Sequence, residues 1–303
     1  MKIYNEMCKN CMRLNADCEG CTNEVYSGCV YKVESKKEEN TMTKSQFAQA
    51  VAEKVNGEVR EVEKANGIIL TGISVKSGSI APTVYIDDFY EDELNIDETA
   101  EKVREMLASA MDNLPVGVEA LTDWERVKPL LRARLYNERT NADVRKPAGY
   151  GLDDLVIIPY IEAVFTDGGV NGSVKVTNEL LTIWKVTADD VISIAETNSK
   201  NDFSIRSISE VIAEMTGMPP MPMDDEPLVV TNNNKMYGAY ALIAGYEALK
   251  ERFPNGFTVL PSSVHEVLVT GASDDRFSDM VSDVNDTAVD PQEVLGCKAY
   301  WVA

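Results

Sequence analysis

The chain has 303 residues, 44% of them apolar, with 50 acidic against 29 basic side chains and a formal net charge of -21. That length can bury a substantial core in one or two domains. No apolar run reaches the roughly 18 residues of a membrane span, and the acidic balance argues against a nucleic-acid-binding surface, which needs clustered Lys and Arg.

Met1-Lys2-Ile3-Tyr4-Asn5-Glu6 lacks the apolar core of a signal peptide, so the expected location is the cytoplasm. The acidity reads first as solubility. The sharper alternative is a DNA mimic, presenting carboxylates to a DNA-binding protein.

Residues 1–34 differ from the rest. They hold five of the six cysteines, as Cys8-x-x-Cys11, Cys18-x-x-Cys21 and Cys29. Two C-x-x-C pairs suit tetrahedral zinc, because the two-residue gap turns both thiolates of a pair towards one ion. Six residues separate the pairs, fewer than the roughly 15–20 of a zinc ribbon, so the expectation is a compact knuckle with Cys29 as an alternative ligand. Disulfides are disfavoured in a reducing compartment, ferredoxin spacings do not match, and a redox C-x-x-C lacks a βαβ context. Free thiols stay open as an alternative. A site closed by four sulfurs is structural, so no catalysis is expected there. Residues 35–42 are polar and charged, an exposed linker.

The body opens with a capping box, Thr43-Lys44-Ser45-Gln46. Phe47, Val51 and Val55 recur at helical spacing up to Gly57, which is expected to stop the helix. Strands at 58–64 and 68–76 flank Ala65-Asn66-Gly67, a turn that tolerates positive φ. A strand at 82–86 follows, then a helix expected to be capped by Asp97 with Ala100, Val103 and Leu107 inside. Asp87-Asp88 reads as solvated loop or helix-start charge.

Thr122-Asp123-Trp124-Glu125 caps a short helix. Leu131, Ala133 and Leu135 then alternate with Arg132, Arg134 and Tyr136, a half-buried strand with a basic edge. Residues 154–165 form a long apolar strand, expected to be central, and Asp167-Gly168-Gly169 turns into a strand at 173–177. Thr187 caps a helix to about Asn198, and a weaker helix spans 207–215. Met218-Pro219-Pro220-Met221-Pro222-Met223-Asp224-Asp225-Glu226-Pro227 is a connector, since proline removes donors and fixes φ.

A strand at 228–231 precedes a helix from Tyr237 to Phe253 with Leu242, Tyr246, Leu249 and Phe253 on one stripe. Strands at 257–261 and 264–270 lead to a helix at 275–287 with Phe277, Met280, Val281 and Val284 expected inside. Pro291 suits a short helix, and 298–302 forms a last strand.

Pro261-Ser262-Ser263-Val264-His265-Glu266-Val267, Val284-Asn285-Asp286-Thr287-Ala288-Val289 and Pro291-Gln292-Glu293-Val294-Leu295, with Tyr237-Gly238-Ala239 and 177–198, carry a resemblance over about residues 43–303. They resemble domain of unknown function 5688, a family from anaerobic Firmicutes, and more distantly the 1444 group. The resemblance implies an α+β fold in a bacterial cytoplasm and brings no activity, substrate or cofactor. The cysteine-rich start lies outside it.

The weak catalytic candidates are Ser263 and His265, the only histidine. On a strand they would share a face, but so would Val267 and Val269, which points inward. No Gly-x-Ser-x-Gly elbow exposes the serine, so the simpler expectation is a core histidine bonded to serine hydroxyls. Two-histidine metal sites and a P-loop are absent. Arg132, Arg134, Arg139 and Arg145 are expected to pair with surplus acid, with an anion site as the alternative.

The resulting reading is an α+β protein: a zinc knuckle (1–34), a linker (35–42), an N-terminal lobe (43–217), the Pro/Met connector (218–227) and a C-terminal lobe (228–303). Its leading function is non-enzymatic binding of a macromolecular protein partner. The alternatives are a hydrolase on Ser263 and His265, and DNA mimicry.

Overall fold

The computed structural model describes residues 42–303, apart from 77–82, 92–94, 113–120, 141, 164–171, 224 and 262. The cysteine-rich residues 1–34 on which a knuckle is expected, the expected turn at Asp167-Gly168-Gly169 and Ser262 lie outside the described residues. The chain is α+β, with three antiparallel sheets among the described residues. Among the described residues, no helix is long and apolar enough to cross a membrane.

Helix α1 (Lys44–Val55) starts at the expected capping box and buries Phe47, Ala48, Val51, Ala52 and Val55. Asn56, not Gly57, takes the left-handed cap at φ 54°. Gly57 is needed for space instead, since a Cβ there would stand 2.8 Å from Ile73 Cγ2. Strands β1 (Glu58–Glu63), β2 (Ile69–Ser74) and β3 (Thr83–Tyr85) form the first sheet in that order. Asn66 and Gly67 both have positive φ in the turn.

Helix α2 (Asp87–Glu91) opens on Asp87, which is not solvated. It pairs with Lys44 at 2.7 Å and accepts the Thr71 N–H. Helix α3 (Ile96–Asp112) is capped by Asn95, whose Oδ1 accepts the Glu98 N–H, while the expected cap Asp97 sits one residue inside and pairs with Lys54. These elements share a small core of their own, from Phe47 to Leu107.

After α4 (Trp124–Val127), capped by Asp123, comes β4 (Leu131–Asn137) with the expected alternation. Strand β6 (Leu155–Ala163) is central: β4 pairs along one edge, and β5 (Lys146–Pro147) and β7 (Gly172–Lys175) along the other. Helix α5 (Asn178–Trp184), which the periodicity did not reveal, and α6 (Ala188–Ser199) follow, α6 with a complete Thr187–Asp190 capping box.

Strand β8 (Ser204–Ser207), also not foreseen, and helix α7 (Ile208–Thr216) precede the connector; β9 (Leu228–Thr231) follows it. Yet β8 pairs directly with β9. With β10 (Phe257–Leu260), β11 (Glu266–Thr270) and β12 (Tyr300–Val302) they make one sheet, ordered β12-β10-β11-β9-β8. The second core runs from Val127 to Val302, through Leu131, Ile157, Val230, Val267 and Val269. Residues 218–227 therefore loop out of a continuous sheet and core, and the hydrophobic cores divide between Leu107 and Val127. The physical reason is register: four ladder pairs join Ser204–Ser207 to Leu228–Thr231.

The expected long helix after β9 is interrupted. Tyr237 is left-handed at φ 52°, a 3-10 turn covers Gly238–Tyr240, and α8 (Ala241–Ala244) breaks at Gly245 before α9 (Tyr246–Arg252). Helix α10 (Phe277–Ala288) buries Val281 but leaves Met280 and Val284 53% and 42% exposed, so its apolar face is only partly covered.

The two cores meet through Asn66, whose Nδ2 donates to the carbonyls of Pro291 at 2.7 Å and Val294 at 3.0 Å. Asn66→Ala removes both bonds and leaves a left-handed residue with no polar side chain. It is expected to lower the unfolding free energy by about 1–3 kcal/mol, measured by urea denaturation.

Candidate functional site

Between β10 and β11 the chain passes through Pro261–His265, alongside the turn 290–296. Val264 donates to the Glu293 carbonyl at 2.9 Å, Gly296 to the Pro261 carbonyl at 2.9 Å, and Ser263 bridges Val294. These bonds carry His265 to the left-handed turn at Tyr237. Gly238 must be glycine for this approach, because a Cβ there would fall 2.6 Å from the Asn232 backbone nitrogen. Asn232, itself buried, closes the turn with two bonds to the Met236 backbone.

His265 is mostly enclosed, its side chain 17% exposed. Its Nδ1 accepts the Tyr237 N–H at 3.0 Å, and the ring proton then lies on Nε2, which donates to Glu293 Oε1 at 3.1 Å. The Tyr237 ring lies against the imidazole, with centroids 5.0 Å apart. Tyr237 holds a left-handed backbone that costs a β-carbon residue free energy; the bond to His265 and the ring contacts offset that strain.

Ser263 is buried, and its Oγ accepts the backbone N–H of His265 at 3.0 Å. Serine and histidine are thus brought together, but through the backbone and not the ring. The imidazole's one lone pair is already used by Tyr237, so the ring has none with which to take the Ser263 proton. His265 also precedes β11, so the strand alternation that would place it on the face of Val267 and Val269 starts one residue too late.

Behind the imidazole, Arg134 is clamped between two rings, its guanidinium carbon 3.6 Å from the Tyr160 centroid and 3.7 Å from that of Tyr237. This is a cation–π sandwich in a largely desolvated setting. Against the larger upward effect of burial, the Arg134 charge draws the Tyr136 and Tyr160 hydroxyls downward in pKa. The Arg134 Nε is buried with no hydrogen-bond partner among the described residues. Of the four arginines expected to pair with acid, Arg132 does so, with Glu162 at 3.2 Å. Arg145 donates to the carbonyls of Glu138 and Thr140.

The other side of turn 290–296 faces a cleft of about 730 Å³. Asn66 and Ile68 of the first sheet, Asn137 to Arg139 at the end of β4, Asp154, and α10 from Ser282 onward form its walls. Asn137 Nδ2 bonds Asn66 Oδ1 and the Val294 carbonyl, joining three segments at its floor. Asn285 donates to the Gly296 carbonyl at 2.8 Å, while its Oδ1 is buried without a partner among the described residues. Two stretches that carry the family resemblance, 284–289 and 291–295, line this cleft, and the third holds His265.

Tyr237, Glu293, Asn66 and Asn137 were not foreseen as site residues. The Asn-Gly turn was a visible signal for Asn66, but only as a turn. Among the described residues no group of three or more His, Cys, Asp or Glu could hold a metal ion; Cys8, Cys11, Cys18, Cys21 and Cys29 lie outside them.

Burial pushes the Tyr136 hydroxyl up to about 12, against the pull of Arg134. Burial likewise raises Tyr160, Tyr240 and Tyr300, the last with help from its 2.5 Å bond to Asp154. The sign is unambiguous: above the ordinary tyrosine pKa of about 10 the unfolded chain loses these protons while the fold keeps them, so stability falls as pH rises. Below that pH their contribution is fully present. Phenolate absorbance at alkaline pH is expected to rise in two stages, with these four tyrosines ionising only as the fold is lost, and Tyr136→Phe should soften the loss of stability between about pH 10 and 12.

No curated protein and no solved structure matches this chain. Residues 38–301 match the family of unknown function DUF5688. The chain belongs to that family.

Proposed function

We propose that this chain is a non-enzymatic binding protein that engages a macromolecular partner, with the cleft beside α10 as its contact surface. The observation that carries the reading is the cleft itself, about 730 Å³ and walled by amide, carboxylate and backbone groups. The asparagine amides hold the floor of the cleft in place, and Arg139 and Asp290 on the walls supply charge of both signs, which suits a polypeptide segment. The hydrolase alternative on Ser263 and His265 has the geometry against it, since the imidazole lone pair and the serine oxygen each already accept a backbone N–H.

Ser282 and Asp286 are exposed on the α10 wall, so arginines there would fill the cleft without disturbing the core. The full chain, immobilised and exposed to lysate of its native host, is expected to retain a specific partner. Ser282→Arg/Asp286→Arg should reduce that retention at least about tenfold at unchanged melting temperature. Recovery of nothing specific, or of the same protein by both forms, would count against the reading.

The same reading includes a structural zinc knuckle on Cys8, Cys11, Cys18 and Cys21, with Cys29 as alternative ligand. It rests on the two C-x-x-C pairs. Elemental analysis of protein purified without chelator is expected to find about one zinc per chain, lost in Cys8→Ser/Cys11→Ser. Iron with visible absorbance would move the segment to redox chemistry, and no metal would leave free thiols.

A further inference from the structure

The connector that loops out between α7 and β9 has a composition unlike the chain's other linker. Residues 35–42 are charged and polar, whereas here four of the 12 methionines fall within nine residues, as Met215-x-x-Met218-x-x-Met221-x-Met223. All four are open to solvent, at 81%, 60%, 79% and 61% exposure. Each forgoes about 1.5–3 kcal/mol available from burying such a side chain, so a plain spacer gains nothing from them.

We propose that Met215, Met218, Met221 and Met223 form a thioether site for a soft monovalent cation, Cu(I), for which Ag(I) is a redox-silent stand-in. This inference is independent of the partner-binding reading.

Ligand chemistry sets the ion class. Thioether sulfur is a soft donor that selects Cu(I), whereas magnesium and calcium demand oxygen. Of the neighbouring carboxylates, Glu214 is engaged by Lys235 and Arg206 and Glu226 by the Ser209 N–H. Asp224 and Asp225 follow Met223 directly and offer hard oxygen, which a soft monovalent ion takes less readily than thioether sulfur. Softness, not the lack of oxygen, therefore selects sulfur, and the acidic surroundings favour a cation.

Backbone chemistry sets the geometry. Pro219, Pro220 and Pro222 fix φ and keep Met218 and Met221 out of the helical region. In an extended chain of that kind residues three apart share an edge, at about 3.1 Å of rise per residue, which sets Met218 and Met221 about 9 Å apart. Two unbranched side chains with three rotatable bonds each can close that span around one ion. Met215 occupies the last turn of α7, which Gly217 ends in a left-handed cap at φ 69°, and the Met218 N–H is held by Thr216 Oγ1 at 3.3 Å. The helix end thus delivers a third thioether three residues before Met218, and Met223 adds a fourth.

The test uses the full chain with its thiols blocked by iodoacetamide, because thiolates would capture the ion first, and with carbon-13 in the methionine methyls. On titration with Ag(I), the four methyl resonances are expected to shift together and saturate near about one equivalent, while those of Met106, Met236 and Met280 stay in place. Cu(I), supplied anaerobically as its acetonitrile complex, should displace Ag(I) from the same four. Met218→Leu/Met221→Leu, conservative in volume and exposed, should weaken binding at least about tenfold. Shifts that follow exposure across all the methionines, no shift at these four, or unchanged affinity in the variant would each overturn the proposal.

Discussion

Strand β4 is covered on both faces, and its two-residue period decides what each face meets. Leu131, Ala133 and Leu135 enter the large core, where α6 lies across them and Ser199 Oγ accepts the Ala133 N–H. That commitment sends Arg132, Arg134 and Tyr136 to the opposite face. There a half-buried cation gains from partners, and the rings of Tyr160 and Tyr237 provide them. A register slip of one residue would exchange arginine for leucine on both faces at once. The seven paired positions between β4 and β6 make that slip expensive.

The surroundings of His265 follow from that constraint. Tyr237 must cover Arg134, which requires the left-handed turn, which in turn points its N–H at the imidazole. With Nδ1 occupied, Nε2 becomes a donor, and Glu293 is the acceptor. The histidine is thus a clasp between the turn before α8 and the turn after α10. Its chemistry is spent on holding the two together, which is why it has no lone pair for a reaction.

The turn 290–296 in turn ties the two cores. It receives bonds from Asn66 and Asn137 on one side and supplies Glu293 on the other. The first sheet thereby docks through a few polar contacts while each core stays separate. Polar docking of this kind leaves a cleft wherever the apolar surfaces do not close, and the cleft beside α10 is that opening.

Local physics is legible in this sequence wherever one segment settles the outcome. The Thr43 and Thr187 caps, the positive-φ turn at Asn66-Gly67, the alternation of β4 and the centrality of β6 all depend on residues a few positions apart. Legibility fails where space decides. Gly57 looked like a helix stop and is a close contact with Ile73; the stripe on α10 looked like core and is half exposed; the connector looked like a lobe boundary and loops out of a sheet. By itself the sequence determined the α+β class, most element positions and the candidate residues Ser263 and His265. Only the tertiary structure decided their roles, because Tyr237 and Glu293 lie 28 residues to either side of His265. A proton's position on a ring is set by such distant partners, and no local pattern encodes them.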